Sequence, residues 1–144
     1  MPTATPSLEG WTLIETGPFE AMTGPLFRTD RDLGPDEPLR IGFKVETRHC
    51  NDGGVCHGGM IATFVDMAMG LSMRRSLGAD GGSPTMTLTV DFLSAAAEGD
   101  WIESRSRVVH TTYRSGFCDV IALGPNGPVA RGNAIFRLTR PKQA

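Results

Sequence analysis

The sequence predicts an α+β domain in which an antiparallel β-sheet wraps around one long central α-helix. Three observations lead there. Between residues 58 and 77, Met60, Ile61, Phe64, Val65, Met67, Ala68, Met69, Leu71 and Met73 cover nearly the whole circumference of a helix, which is stable in water only when most of its sides are buried. Residues 85–92 alternate strictly: Met86, Leu88, Val90 and Phe92 share one face, while Thr85, Thr87, Thr89 and Asp91 share the other. That is the pattern of a half-buried strand. From Trp101 onward, β-branched and apolar stretches alternate with tight turns, which reads as an antiparallel meander.

Taken in order, residues 1–10 contain Pro2 and Pro6 but neither a basic start nor an apolar stretch. They read as a loose tail ahead of one domain spanning 11–140, with no secretory signal. Short strands are expected at 11–16 and 26–29, and a better one at 39–46. The helix follows at 58–77, with four of the seven methionines as adaptable core filling. Strands then follow at 85–92, 101–111, 117–123 and 129–139. The Gly/Pro clusters at 34–38, 78–84 and 124–128 are short enough to be turns within one domain.

Composition removes several functional classes. The chain has 144 residues, enough for a core that needs neither disulfides nor metals. Its 14 basic and 16 acidic residues, with no basic run longer than Arg74-Arg75, argue against nucleic acid or a membrane surface as partner. The longest apolar stretch, 60–73, is short for a membrane span and holds Asp66 in its middle. Three cysteines, Cys50, Cys56 and Cys118, form no CxxC pair and suit reduced thiols in a cytoplasm. Glycine is over-represented, 18 residues against a usual share of about 7%.

Asp66 is the most informative residue. A carboxylate within a buried apolar helix is costly unless it is paired, hydrogen-bonded or protonated. Ala62, Thr63, Met69 and Gly70 lie one turn either way on its face, a strip small enough to admit a backbone or a ligand. Two readings stand: an Asp satisfied by Thr63 or a neighbouring strand, and a catalytic carboxylate. The helix starts at His57-Gly58-Gly59, after Asn51-Asp52-Gly53-Gly54. Free amides at a helix start can receive an oxyanion, so Gly53, Gly54, Gly58 and Gly59 are assigned to an oxyanion-binding segment, against the simpler reading of turn chemistry.

His49-Cys50 and Cys56-His57 bracket that loop. Adjacent residues point in divergent directions and the usual spacing of zinc ligands is missing, so no metal site is expected. A Cys56 nucleophile with His57 as its base is disfavoured for the same reason. His110, in a strand, reads as structural. Eight helical residues separate Gly58 from Asp66, roughly 12 Å of rise. One chain therefore cannot bring both to a single carbonyl carbon, but two helices packed antiparallel in a symmetric dimer can.

Asn51, Gly54, His57-Gly58-Gly59 and Asp66, followed by the alternating strand from Thr85 and the Glu98-Gly99-Asp100 turn, resemble the hotdog-fold acyl-CoA thioesterases. The branch is the phenylacetate-pathway (PaaI-like) one of the 4-hydroxybenzoyl-CoA thioesterase superfamily, and the resemblance spans about residues 40–140. It implies homodimers or dimers of dimers (tetramers) with acyl-CoA at the subunit interface. Asp66 then resembles the catalytic carboxylate, as general base or nucleophile. Gly58 resembles the amide that polarises the thioester carbonyl, with His57 and Asn51 as supporting groups. Thr85 falls where relatives carry a hydroxyl that positions water or the carboxylate, with Ser83 as the alternative. Arg114 is the candidate partner of a CoA phosphate.

The activity so implied is hydrolysis of an acyl-CoA thioester, aryl or medium-chain, to free acid and CoA. CoA enters only as part of the substrate; no other cofactor is implied, since a thiolate leaves readily once water is activated and the oxyanion held. A non-catalytic acyl-CoA-binding hotdog domain is the alternative, and an acyl-thioester hydratase or dehydratase ranks below it.

Overall fold

The structure is a computed structural model, which describes residues 8–15, 17–29, 39–78 and 83–139. Most of the expected tail, the 34–38 cluster, the middle of the 78–84 cluster, Thr16 and residue 140 lie outside the described residues. The elements are β1 (Trp11–Leu13), α1 (Pro18–Thr23), β2 (Phe27–Thr29), β3 (Ile41–Lys44), a 3-10 turn (Thr47–His49), α2 (Gly58–Leu77), β4 (Thr85–Phe92), β5 (Trp101–Thr111), β6 (Ser115–Gly124) and β7 (Gly127–Arg137).

The strands form one antiparallel sheet in the order β1-β2-β3-β5-β6-β7-β4. The chain leaves the sheet interior at β3, crosses one face as α2, and lands on β4 at the far edge. This crossover sets the helix beside the edge strand. β6 and β7 turn tightly through Pro125-Asn126, with Gly124 opposite Gly127 and Gly127 at φ +119°, a conformation that glycine adopts without strain.

The core lies between α2 and the concave face of the sheet. Phe64, Val65, Ala68, Met69 and Met73 of α2 meet Phe43, Ile102, Cys118, Ala122 and Phe136, all at most 1% exposed. Phe43 and Phe64 stack with centroids 4.8 Å apart. A buried serine pair fastens the helix to β5: Ser106 Oγ donates to the Ala68 carbonyl at 3.0 Å, and Ser72 lies 2.6 Å away. Both hydroxyls are thereby satisfied out of water, as burial demands.

Four expectations are corrected. α1 was not foreseen. The strands expected at 11–16, 26–29 and 39–46 are shorter, at Trp11–Leu13, Phe27–Thr29 and Ile41–Lys44. The sheet covers only one side of α2: Gly59 is exposed, and Ala62, Thr63, Asp66, Met67 and Gly70 are half-buried, while Met69, expected on Asp66's strip, is fully buried. Finally, β4 is not half-buried. Met86, Leu88 and Phe92 are exposed, the first at 64%; β4 is the edge strand, and none of the described residues forms a strand beyond it.

Candidate active site

Residues 49–57 form a miniature hairpin. The Asn51 amide donates to the Val55 carbonyl and the His57 amide to the His49 carbonyl, both at 2.8 Å. Asn51 closes the turn: its Oδ1 accepts from the amides of Gly53 (2.9 Å) and Val55 (3.3 Å), and its carbonyl from Gly54. Gly54 sits at φ +80°, in the left-handed region where glycine is favoured. The hairpin docks on the β4–β5 connection, where the Cys56 amide reaches the Ala96 carbonyl at 2.8 Å. Asp100 closes that connection by accepting from the Ala97 amide at 2.9 Å.

His57 caps α2. Its Nδ1 accepts from the Gly59 amide at 2.8 Å, so the neutral ring carries its proton on Nε2. The amides of Met60 and Ile61 both turn to the His57 carbonyl. Of the four amides at the start of the helix, only that of Gly58 donates to nothing among the described residues. Thus the four-glycine expectation narrows to one: Gly53, Gly54 and Gly59 direct their amides into local turns and the cap. A Cβ at Gly58 would sit in ordinary contact with the Phe92 ring, at 3.4 Å. That neighbour was not visible in the sequence.

About two turns further along the same helix, Asp66 Oδ1 accepts from Thr85 Oγ1 at 2.8 Å. Thr63, the other partner considered, bonds back to the Gly59 carbonyl at 2.9 Å. Oδ2 of Asp66 has no partner among the described residues and lies on the uncovered side of α2. Ser83 makes no hydrogen bond among the described residues. The carboxylate is thus oriented through one oxygen and available through the other, an arrangement that can accept a proton from water or attack a carbonyl.

The other expected residues fall elsewhere. Arg114 is exposed on the β5–β6 turn, where its carbonyl accepts from Leu138. The neighbouring Arg137 amide bonds the Pro84 carbonyl, so this turn shares the sheet end that carries Thr85. His49 is buried with both ring nitrogens engaged: Nδ1 accepts from Glu46 at 3.0 Å and Nε2 donates to the Thr23 carbonyl at 2.7 Å. Burial pushes the Cys56 thiol up to about 12, away from the thiolate a nucleophile needs. His110 lies on the exposed end of β5 beside Phe117. A cavity of about 470 Å³ opens near the C-terminal end of α2, lined in part by Leu39, Leu71, Arg28 and Arg74, at the opposite edge of the sheet from Thr85.

The chain matches a family model described as the thioesterase superfamily over residues 53–128. It is 30% identical over 127 residues to "Putative esterase PA0474" of Pseudomonas aeruginosa, covering 88% of this chain and 92% of that protein. Among solved structures, it resembles the conserved protein PA5202 of Pseudomonas aeruginosa with a TM-score of 0.77, at 27% identity over 86% of this chain and 95% of that one. The fold is also that of a hypothetical thioesterase protein from Streptococcus pneumoniae solved with coenzyme A, with a TM-score of 0.66 and 22% identity over 75% and 86% of the two chains.

Proposed function

The chain belongs to the thioesterase superfamily, and on that premise we propose that it is an acyl-CoA thioesterase, releasing CoA and an aryl or medium-chain acid. The observation that carries the reading is the Asp66 carboxylate, held by Thr85 through one oxygen and open at the other. The hotdog relative bound to coenzyme A supports the class of substrate.

In this reading Asp66 takes a proton from water as the water attacks the thioester carbonyl, or attacks that carbon itself to give an anhydride that water then opens. The Gly58 amide stabilises the oxyanion, and the CoA thiolate departs. His57 holds the helix start, and Asn51 the loop before it. Arg114, exposed at the sheet end that carries Thr85, is proposed to meet a CoA phosphate. No resident cofactor or metal is called for, because CoA arrives and leaves with the substrate. The three free thiols favour a cytoplasmic setting.

Gly58 and Asp66 of one chain are about 12 Å apart along the helix axis, so the site is proposed to be shared within a homodimer, alone or in a dimer of dimers. The uncovered strip of α2 supports this, as does the apolar surface beside it: Met86, Leu88, Phe92 and Leu93 are all at least 36% exposed. Thiol release over a panel of aryl-, short- and long-chain acyl-CoAs tests the proposal. Turnover in wild type and its loss in Asp66→Ala and Asp66→Asn support it. Binding without turnover indicates a receptor domain, and a changed double bond a hydratase.

A further inference from the structure

Cys50 and Cys56 face each other across the miniature hairpin. The two bonds that flank them are Asn51 to Val55 and His57 to His49, while their own amides turn away to Thr47 and Ala96. They are therefore a non-hydrogen-bonded antiparallel pair, the kind with Cα atoms about 4.5 Å apart and side chains on one face. A disulfide accepts Cα separations of roughly 4.4–6.8 Å. Both thiols are free, and each makes only a weak contact with a carbonyl, Cys50 with Glu46 at 3.5 Å and Cys56 with His57 at 3.8 Å. Cys118 lies apart on β6, its sulfur against the Met69 carbonyl at 3.7 Å.

We infer that Cys50 and Cys56 form a redox pair, which a low-molecular-weight disulfide converts to an intramolecular disulfide closing the loop ahead of α2. Cys50 is the more exposed and reacts first: its thiolate attacks one sulfur of the small disulfide, whose S–S bond breaks, and one thiolate leaves. The Cys56 thiolate then attacks the Cys50 sulfur within the resulting mixed disulfide and expels the second small thiol. Two protein thiols lose two electrons, the small disulfide gains them, and the two protons end on the released thiols. Cys56 needs no access to solvent, because its attack is intramolecular.

The surroundings set the speed. Burial, then Glu98 on the turn before β5, raise the Cys50 thiol; burial, then Cys50 itself, push Cys56 up to about 12. Thiolate is scarce at neutral pH, so the pair is slow to oxidise there and faster as pH rises. The bond joins the two stems of the hairpin that leads through His57 into Gly58. The inference does not depend on the hydrolase reading.

The test uses the reduced full-length protein incubated with oxidised glutathione in mildly alkaline buffer, after which remaining thiols are alkylated. Tryptic fragment 49–74 contains both cysteines, with Asp52 between them and Asp66 beyond them, so an Asp-specific protease cuts that fragment into three pieces, two of which carry one cysteine each. The expected result is a fragment lighter by two hydrogens, whose two cysteine-bearing pieces stay joined until reductant is added, in wild type and in Cys118→Ser alike. Cys56→Ser is expected to stop at glutathione on Cys50. Wild-type cysteine-bearing pieces that separate without reductant, their cysteines alkylated or each carrying glutathione, would overturn the inference. The wild-type map decides alone, so a variant that misfolds does not blur the outcome.

Discussion

Thr85 meets Asp66 because Met86 is an extra residue in β4. Thr85 pairs with Phe136 and Thr87 with Ile135, so two residues apart on β4 oppose consecutive residues on β7. Met86 is the bulge. Without it Thr85 would share the face of Thr87, Thr89 and Asp91. With it, Thr85 turns to the side of its partner Phe136, which is buried against α2, and its hydroxyl reaches the carboxylate at 2.8 Å. Bulges of this kind re-aim side chains beside active sites.

Thr85→Val keeps the shape and the strand preference of the residue but removes the donor. Losing a hydrogen bond to a charged acceptor corresponds to roughly 10–100-fold, so kcat is expected to fall by that factor while Thr85→Ser stays near wild type. Steady-state kinetics of the two variants check this; equal rates for Val and wild type would leave the bulge without a catalytic purpose.

Gly58→Pro removes a single amide, the one at the helix start that donates to nothing among the described residues. Proline is tolerated at the first helical position, and His57 before it is already extended, at φ −61° and ψ 136°, as a residue preceding proline must be. The thermal midpoint should therefore move by only a few degrees. Activity should fall on the order of 10²–10³-fold, the cost of losing one oxyanion donor. A calorimetric scan beside the assay separates the two effects.

The sequence carries the helix from 58 to 77 and the last four strands because their periods are long and uninterrupted. α1 was illegible: it has six residues, none of them buried, so no apolar period announces it. The Met86 bulge was equally hidden, since the Thr/apolar alternation runs through it unbroken and only the pairing partner on β7 reveals the slip. Asp66 and Thr85 could be named from the sequence, but not the route by which one reaches the other. The exposure of β4 and of one side of α2 was misread for a related reason. Apolar periodicity reports that a face is suited to being covered, not whether the same chain covers it.

Gly132→Ala tests how firmly β7 holds the edge strand. A Cβ at Gly132 would lie 2.7 Å from the Thr89 carbonyl oxygen and 3.4 Å from a Val120 methyl. The carbonyl is backbone of β4 and cannot rotate aside, so β4 itself must shift. Overpacking of this kind costs about 1–3 kcal/mol. A lower denaturant midpoint is expected, with kcat reduced as well, because the displaced strand carries Thr85.

A shared site makes a prediction that a self-contained one cannot. Asp66→Asn and Gly58→Pro homodimers each lack one essential group in both sites and should be nearly inactive. Unfolding them together and refolding at equal amounts gives about half heterodimers. In a heterodimer, one site combines both lesions and the other has the intact Asp66 of one chain and the intact Gly58 of its partner. Half of the sites in half of the dimers are then restored, about one quarter of wild-type activity. If Asp66 and Gly58 act within one chain, mixing restores nothing. The assay therefore distinguishes the two arrangements without knowledge of the acyl group, provided any acyl-CoA that wild type turns over is used.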